Sequence, residues 1–534
     1  MKMKIFGLSN FIKRKFIIKK SIEIRNKIKI INKIRGTPGE LIYFKIFNEM
    51  TTKKIDFPVN LNFFLGYLLD FDLNKFLKQF ILFKLFINFK MVNKIAYAFA
   101  SKKKITHPLP NNFFIFFKKE KIGINYFNCK LSFLCRSFLE ATKAILLVIN
   151  IFFESKNLRN KDHVQFCDIP KNYNFNFKIK SRKDLFQWYF DNMNNKNINH
   201  IYCNGKKKEI IEKNIRITLN EQIIGQLSFF KKFFFIFLSL IYLFYAFLRF
   251  VFGNQYYFFI SNEVILLFKT VLTKKVANNY FFSNSEFVYK PLWTYHVELR
   301  GSEVFLFYYA SSFFGFKINN KYLPNEVGTE SMSWKNIICW TRPIIDFLKK
   351  NIVKKNITYY QTEPINLKDF DDKKIIAKFS KKKIISIFDI PPRRNCIRSL
   401  YFFGENYRTE EIGIRFLEDI YEVFKNKKDF ILLLKSKRLM DQQYSKKFKN
   451  FYQNFTKQKN ICLLHPDVSA SRLINNSYLA ISIPWSSTAF IGEYYKKKSI
   501  FYDPFQMLDL NDRGRQNCKL VQGKKSLEKF ANAL

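Results

Sequence analysis

Histidine is scarce in this chain, and cysteine does not occur in the patterns that bind metals or form dense disulfides. The 534 residues contain five histidines and no HExxH motif, which argues against a zinc site. The eight cysteines lie far apart, without a CxxC pair, so a small disulfide-rich module is excluded. Dispersed cysteines of this kind suit a reducing compartment, and we expect a cytoplasmic protein.

Two common glycine-rich phosphate-binding motifs are also missing. Neither GxGxxG nor GxxxxGK[ST] occurs, which argues against dinucleotide-binding and P-loop proteins. An acidic DxD-type pair is absent from any suitable strand end, since Asp371 and Asp372 lie in a charged linker. We therefore expect a reaction without metal or cofactor, in which cationic side chains and a helix dipole stabilise a leaving phosphate.

Acidic residues are few relative to basic ones, 42 against 92, and the formal net charge is +50. Such a charge attracts anionic lipid headgroups, nucleic acid or phosphorylated substrates. Lys, Asn, Ile and Phe are enriched together, as AT-rich codons favour, so drift in composition is an alternative explanation. Because the chain has no recognisable RNA-binding module, we expect an anionic membrane surface as partner and not nucleic acid.

Long uncharged segments are rare, and the one that raises a membrane question is 233–248, between Lys231-Lys232 and Arg249. It falls short of the roughly 20 residues that a spanning helix needs. Its cationic and aromatic flanks suit a membrane interface. A buried helix, an interfacial helix and a single span all remain open.

The length exceeds that of one hydrophobic core and predicts several domains. Region 1–190 is helix-rich and the least legible, whereas 191–370 and 380–534 alternate apolar strands with helices. In the middle region, the apolar run 256–260 predicts a strand, followed by a helix over 262–274.

The C-terminal region has the clearest pattern, which predicts an α/β fold. Its strands are predicted over 384–389, 430–434, 461–464, 479–483 and 500–502. Strands this apolar, separated by single helices, indicate a parallel sheet covered on both faces. Ligands of such sheets bind at the carboxyl ends of the strands.

Residues at those ends could bind a phosphate-bearing donor. Three hydroxyl residues after Pro484 begin a helix, whose free N–H groups favour a phosphate. Cations after the first two strands could neutralise a leaving group, a histidine after the third could contact nucleotide or sugar, and a glutamate two turns into the helix could hold a ribose. The candidates are Arg393, Lys435, Lys437, His465, Ser486, Ser487, Thr488 and Glu493.

Each candidate also has an ordinary structural explanation. The lysines could be solvated, His465 could cap a helix, Ser486 could be an N-cap, and Glu493 could pair with Lys497. The functional interpretation is favoured because all of these residues fall at one edge of one predicted sheet.

Transfer to an acceptor hydroxyl needs a general base. The segment 291–303 predicts a short helix ending at Gly301 and offers His296, Glu298 and Glu303. We take Glu298 as the candidate base. The alternative is a helix–turn–strand connection with exposed acids.

At these residues the chain resembles bacterial surface-polysaccharide biosynthesis proteins named for a Pro-Phe-Thr-Ser motif. Pro484-Trp485-Ser486-Ser487 stands in the place of that motif, and Ser499-Ile500-Phe501-Tyr502-Asp503-Pro504 resembles the short strand that follows it. The upstream segment 291–304 and the Phe388-Asp389-Ile390-Pro391 turn also resemble the family.

The resemblance implies a GT-B-like fold: two Rossmann-type parallel-sheet domains facing a cleft, with a helical N-terminal extension. The donor domain would be 380–534 and the acceptor domain 191–370, and region 1–190 is a candidate part of the acceptor domain. The implied protein is a glycosyltransferase that uses a nucleotide-sugar donor and a glycan or lipid-linked acceptor, peripheral on the inner face of the inner membrane. The alternative is a non-catalytic nucleotide-sugar-binding protein or scaffold of polysaccharide assembly.

Overall fold

The structure of the protein is a computed structural model. It describes residues 123–153, 163–167, 185–193, 200–203, 210–212, 215–219, 227–252, 256–283, 290–308, 317–318, 321–322, 332–352, 356–363, 381–392, 409–436, 444–466, 468–484 and 486–534, and the single residues 80, 81, 84, 104, 114, 379, 407 and 440.

The helices of these ranges are α1 (Tyr126–Phe152), α2 (Leu185–Asn192), α3 (Phe229–Val251), α4 (Tyr256–Leu272), α5 (Leu292–Leu299), α6 (Arg342–Asn351), α7 (Glu410–Phe424), α8 (Lys446–Phe455), α9 (Ala470–Asn475), α10 (Thr488–Tyr494) and α11 (Lys524–Asn532). The strands are β1 (His163–Phe166), β2 (His200–Cys203), β3 (Ile210–Glu212), β4 (Ile215–Leu219), β5 (Asn279–Phe282), β6 (Glu303–Tyr308), β7 (Lys317–Ile318), β8 (Lys321–Tyr322), β9 (Asn336–Cys339), β10 (Thr358–Gln361), β11 (Lys383–Asp389), β12 (Phe430–Ser436), β13 (Ile461–Leu464), β14 (Leu479–Ser482), β15 (Lys498–Asp503) and β16 (Lys519–Gln522).

The first unit is built on an eight-stranded sheet with the order β10-β9-β6-β5-β1-β2-β4-β3. All neighbours in this sheet are parallel except β3, which runs antiparallel to β4. Strand β1 and most of helix α2 come from region 1–190, so this unit takes in part of that region as well as 191–370.

Phenylalanine fills the centre of the first sheet. The rings of Phe166, Phe281 and Phe305 stand on three neighbouring strands and stack at centroid distances of 4.9 and 4.7 Å. The indole of Trp188, on α2, meets the last two of these rings edge-on. Buried aromatic pairs of this kind add to the free energy that their burial already provides.

The prediction of a strand over 256–260 is wrong. Helix α4 is continuous from Tyr256 to Leu272, and all of its first six residues are buried. A helix buried on every side is apolar on every side, so a short stretch of it cannot be distinguished from a buried strand by periodicity.

The second unit confirms the predicted C-terminal alternation. Its six strands are all parallel, in the order β13-β12-β11-β14-β15-β16. Helix α7 begins where predicted, because the hydroxyl of Thr409 accepts a hydrogen bond from the Ile412 N–H. Two Rossmann-type units, each with a largely parallel sheet, confirm the predicted α/β fold class.

The side chains of the second sheet alternate between two buried faces. Ile385 and Ile387 of β11 pack on one face beneath α7, α8 and α11. Ile384 and Phe388 point to the other face, where they join α9, α10 and the core of the first unit. Because both faces are covered, the strands are apolar at nearly every position, as a parallel sheet requires.

Helix α3 extends the apolar segment that the sequence identified. Among the described residues it is the one helix long and apolar enough to cross a membrane, by length and composition. Only 28% of its most apolar 18-residue stretch is buried.

Gly492 sets the distance between α10 and β15. A Cβ at this position would lie 2.4 Å from Cβ of Ser499, which is closer than packed atoms allow. We expect Gly492→Ala to lower the free energy of unfolding by about 1–3 kcal/mol in a chemical denaturation experiment, because α10 must move outward. Asn475→Ala, at an exposed position of α9, is the control. Equal stability of the two variants would contradict this packing.

Candidate functional site

Three hydroxyls form a short chain at the carboxyl end of β14. The hydroxyl of Thr488 lies 2.7 Å from that of Ser482 and 2.9 Å from that of Ser486. Ser482 and Ser486 are buried, whereas Thr488 is half-buried. The chain therefore links the last residue of the strand, the turn and the first residue of α10.

The turn after β14 is closed by the backbone. The Ser486 N–H donates to the Ile483 carbonyl at 3.3 Å, and the Ile491 N–H donates to the Ser487 carbonyl at 3.2 Å. Ser487 is the N-cap residue of α10, and its side chain makes no capping hydrogen bond. The N–H groups of the first helical turn thus have no side-chain cap from Ser487, and such groups favour an anion.

Lys435 lies on the same face of the sheet as the hydroxyl chain. Phe388 of β11 is in register with Lys435 on one side and with Ser482 on the other. Residues in register across parallel strands point to the same face, and two strand spacings separate Lys435 from Ser482 by about 10 Å. The Lys435 side chain is buried, so its ammonium group is largely shielded from bulk solvent.

His465 stands at the same sheet edge but further away. It follows β13, the outermost strand, and is exposed. Three strand spacings, about 14 Å, separate β13 from β14. The structure therefore does not bring His465 into contact with the hydroxyl chain.

From the sequence, Glu493 was expected to hold a donor ribose or to pair with Lys497. In the structure its partner is Cys518. The Cys518 thiol, just before β16, donates to Oε2 of Glu493 at 3.3 Å. Burial, followed by the nearby Glu493 carboxylate, raises the pKa of the Cys518 thiol. Helix α10 thus points Glu493 toward Cys518.

Asp389 is a buried carboxyl group that the sequence did not select as a site residue. It ends β11 and is 4% exposed, and neither of its carboxyl oxygens has a hydrogen-bond partner in the structure. The hydroxyls of Ser436 and Tyr452 lie beside it, and the Ser436 hydroxyl is close enough to favour the ionised carboxylate. Burial raises the pKa of Asp389 to about 7, opposed by the Ser436 hydroxyl and the Lys435 ammonium.

Asp503, at the end of β15, shows the opposite arrangement. Its carboxylate is fully buried and accepts hydrogen bonds from the Tyr407 hydroxyl, the Leu508 N–H and the Gln522 amide. These contacts fasten the turn after β15. The short strand ending in Asp, which carried part of the resemblance, therefore has a structural role.

Glu298 lies in the first unit, on the last turn of α5. Its carboxylate is 2.7 Å from the ammonium of Lys290, whose side chain is fully buried and also lies over the Tyr295 ring at 4.4 Å. Helix α5 runs back from the carboxyl end of β5 to the start of β6, so Glu298 lies toward the amino edge of this sheet. Ligands of parallel sheets bind at the other edge.

His296, two residues before Glu298 on the same helix, is also buried. Its Nδ1 has no hydrogen-bond partner, and burial lowers the pKa of this imidazole to about 4, assisted by the charge of Arg300. A histidine with so low a pKa is neutral at pH 7.

Two of the predicted donor residues, Arg393 and Lys437, lie outside the described residues, as does Trp485 of the motif. The structure brings Ser486 and Thr488 together and places Lys435 on their sheet face. Ser482 was missed, although a polar residue at the end of an apolar strand is the signal that could have found it, and Asp389 was noted at a strand end but not selected as a site residue. Among the described residues, no three potential ligand side chains cluster as a metal site requires.

A family model described as "Polysaccharide biosynthesis PFTS motif protein" matches residues 243–531, more than half of the chain. The chain belongs to this family. The match confirms the resemblance seen at Pro484-Trp485-Ser486-Ser487, and it spans the second unit and the later part of the first. No curated protein matches the chain.

Several solved structures resemble this family member at low similarity. The UDP complex of MnaA from S. aureus has a TM-score of 0.32 and 11% identity, covering 48% of this chain and 67% of that one. The wall teichoic acid polymerase TagF has a TM-score of 0.34 and 13% identity, covering 69% and 78%. The trehalose-6-phosphate synthase OtsA has 0.33 and 7%, covering 70% and 90%. Similarity this low assigns neither a reaction nor a ligand to this chain.

Because the Asp389 carboxyl is buried, we expect its contribution to the free energy of unfolding to fall as pH rises. Its pKa of about 7 in the folded protein exceeds the ordinary 3.8, so between these values the unfolded chain ionises while the folded protein keeps the proton. Asparagine does not ionise, so Asp389→Asn should not lose stability over this pH range. With about 1.4 kcal/mol per pKa unit, the variant should be more stable than the wild type by a few kcal/mol at about pH 8 and similar to it near pH 4.

Chemical denaturation across this pH range measures the effect. Asp429→Asn, at an exposed carboxylate, should leave the pH dependence of the wild type unchanged. A difference between Asp389→Asn and wild type that does not vary with pH would contradict the prediction.

The Lys290–Glu298 pair predicts strong coupling between its members. Lys290→Met should lower the free energy of unfolding by about 3 kcal/mol, because it leaves a largely buried carboxylate without its partner. Adding Glu298→Gln should restore part of that loss. The exposed pair Arg342–Asp346 is the control, for which coupling of at most about 1 kcal/mol is expected. Additive effects at Lys290 and Glu298 would show that the pair does not stabilise the fold.

Proposed function

We propose that this protein is a glycosyltransferase of bacterial surface-polysaccharide biosynthesis. It transfers a sugar from a nucleotide-sugar donor to a glycan or lipid-linked acceptor in the cytoplasm. Membership of the polysaccharide biosynthesis family supports the pathway class. The observation that carries the proposal is the hydroxyl chain at the carboxyl edge of the second sheet, on the same face as Lys435.

The hydroxyl chain can still donate to a ligand. Ser482, Ser486 and Thr488 have three hydroxyl protons, and their two mutual hydrogen bonds use two of them. One proton remains for a phosphate oxygen, beside the N–H groups at the start of α10. The buried ammonium of Lys435 supplies positive charge on the same side of the sheet, where a donor diphosphate would need it.

Negative charge develops on the donor phosphate as its bond to the sugar breaks. The acceptor oxygen forms a bond to the anomeric carbon, the bond from that carbon to the phosphate oxygen breaks, and the electron pair leaves with the nucleotide. Lys435 stabilises this charge, with Arg393 and Lys437 proposed to assist. His465 is proposed to contact the nucleotide or sugar, and Glu493 to hold the ribose, which requires it to leave Cys518.

The acceptor proton must pass to a base. We propose Glu298 for this role, as the sequence suggested. Its carboxylate would first have to separate from Lys290, and the acceptor would have to reach it at the amino edge of the first sheet, away from the usual ligand edge. The base would then act only in a rearranged complex. Loss of turnover in Glu298→Gln, with nucleotide binding retained, would support the assignment.

Thr488 gives the sharpest test of the donor site, because it holds both hydrogen bonds of the hydroxyl chain. Thr488→Val keeps the side-chain shape and removes the hydroxyl, so we expect about tenfold weaker binding of nucleoside diphosphates and their sugars. Lys435→Met should weaken binding by about ten- to a hundredfold, since a charged partner is lost. Isothermal titration against a panel of these ligands measures both effects.

Thr358→Val, at an exposed position of β10, is the matched control and should bind as the wild type does. Release of nucleotide from the donor then distinguishes an enzyme from a non-catalytic binder or scaffold. Binding that is sensitive to Thr488 without any turnover would favour the scaffold. Nucleotide binding that neither variant changes would refute the proposed donor site.

A further inference from the structure

Helix α3 has one side that packs against the protein. Its buried residues recur every three or four positions, as one helix face does. They are Phe235, Leu238, Ser239, Tyr242 and Ala246. This face lies against α4, where the Tyr242 hydroxyl donates to the Tyr257 carbonyl at 2.8 Å.

The other side of α3 is exposed and almost entirely apolar. Its exposed large apolar residues are Phe229, Phe230, Phe233, Phe234, Phe237, Leu240, Phe244, Phe247, Leu248 and Val251. Phe237 and Phe244 are 58% and 64% exposed. A surface helix of a water-soluble protein usually presents polar residues on this side.

Helix α1 extends the same apolar surface. It is packed against α4 and α3 and exposes Phe138, Leu139, Ile145, Leu146, Ile149 and Phe152. The exposed Phe138 ring contacts the partly buried Phe250 ring of α3 at 5.0 Å, so the apolar side of α1 meets α3 at this point. We refer to these exposed apolar residues of α1 and α3 as the α1–α3 face. So large an apolar surface marks an interaction site.

The packing of α3 fixes its direction on the molecule. Lys231, in its first turn, donates to the Leu272 carbonyl at the end of α4, and Arg249, in its last turn, lies over the Tyr257 ring near the start of α4. The two helices are therefore antiparallel along their length. Helix α4 is almost wholly buried, and the carboxylate of Glu263 on it accepts from the Leu292 N–H of α5. Helix α3 thus lies along the surface of the first unit.

Positive charge borders the apolar face. Lys231 and Lys232 stand at one end of α3 and Arg249 at the other, and the whole chain has a formal charge of +50. Aromatic residues with cationic neighbours at both ends are typical of segments placed at the boundary between headgroups and acyl chains. Lipid also covers such a face without needing a matching shape.

We propose that the α1–α3 face inserts into the leaflet of an anionic membrane, with α3 parallel to the membrane plane. A spanning orientation would draw α3 away from α4 or take the buried Glu263 and Lys269 of α4 into lipid. Insertion of the face removes exposed phenylalanines from water, and the flanking cations meet the headgroups. This docking does not depend on the proposed sugar transfer, because neither helix carries a residue of the donor site.

Co-sedimentation with vesicles tests the face. The full-length protein should bind vesicles of phosphatidylglycerol and phosphatidylcholine, and part of the binding should persist in 1 M NaCl. Phe237→Glu with Phe244→Glu, and separately Ile145→Glu with Ile149→Glu, should each lower partitioning at least tenfold. Leu463→Glu, at an exposed apolar position of β13, should bind as the wild type does.

Three results would overturn the proposal. The first is that the wild type does not bind vesicles. The second is that 1 M NaCl abolishes binding equally in the wild type and all variants. The third is that the wild type forms a soluble oligomer, which the Phe237 and Phe244 substitutions dissociate. The last result would identify a second copy as the occupant. Circular dichroism and the melting temperature of each variant establish that it is folded, since the changed side chains are exposed.

The depth of α3 in the bilayer, measured at three positions along the helix, distinguishes an in-plane from a spanning orientation. Tryptophan is introduced singly at Phe233, Leu240 and Phe247, and quenching by lipids brominated at shallow or deep acyl positions is compared with the parent protein and its five tryptophans. An in-plane helix should give similar shallow depths at all three positions. Deep quenching at Leu240 with shallow quenching at the other two would show a spanning helix and refute the in-plane orientation.

Discussion

The second unit depends on the burial of its sheet on both faces. Covered parallel strands are held in register, and that register places Lys435, Phe388 and Ser482 in one row across three strands. A slip of one residue in β12 would turn Lys435 to the opposite face, beneath α7 and α8. The position of the charge relative to the hydroxyl chain is thus a consequence of the apolar core and not of a flexible loop.

The same burial makes polar groups at the sheet edge costly unless they have partners. Asp503 has three donors of good geometry and fastens a turn, whereas Asp389 has no hydrogen bond of normal geometry and holds a proton up to about pH 7. Two aspartates that each end a strand of one sheet therefore differ in role because of their surroundings.

The sequence was informative where one local pattern determines the structure. The apolar strands and single helices of the second unit follow from a sheet covered on both sides, and Thr409 with its acidic neighbours identifies a helix start. The pattern failed at α4, where burial on every side removes the helical period. It also could not identify partners that the fold brings together, because the contact of Glu493 with Cys518 spans 25 residues and the intervening strand.

Phenylalanine illustrates why composition alone could not settle the surface of this protein. An AT-rich genome would account for many phenylalanines, but drift gives no reason for where they stand. Inside, Phe281 and its neighbours stack across three strands, and their removal from water stabilises the first sheet. Outside, the exposed phenylalanines of the described residues lie on or next to two packed helices, α1 and α3, with Phe505 the exception. Clustering of this kind has a cost in water, so an apolar partner for that surface explains what composition does not.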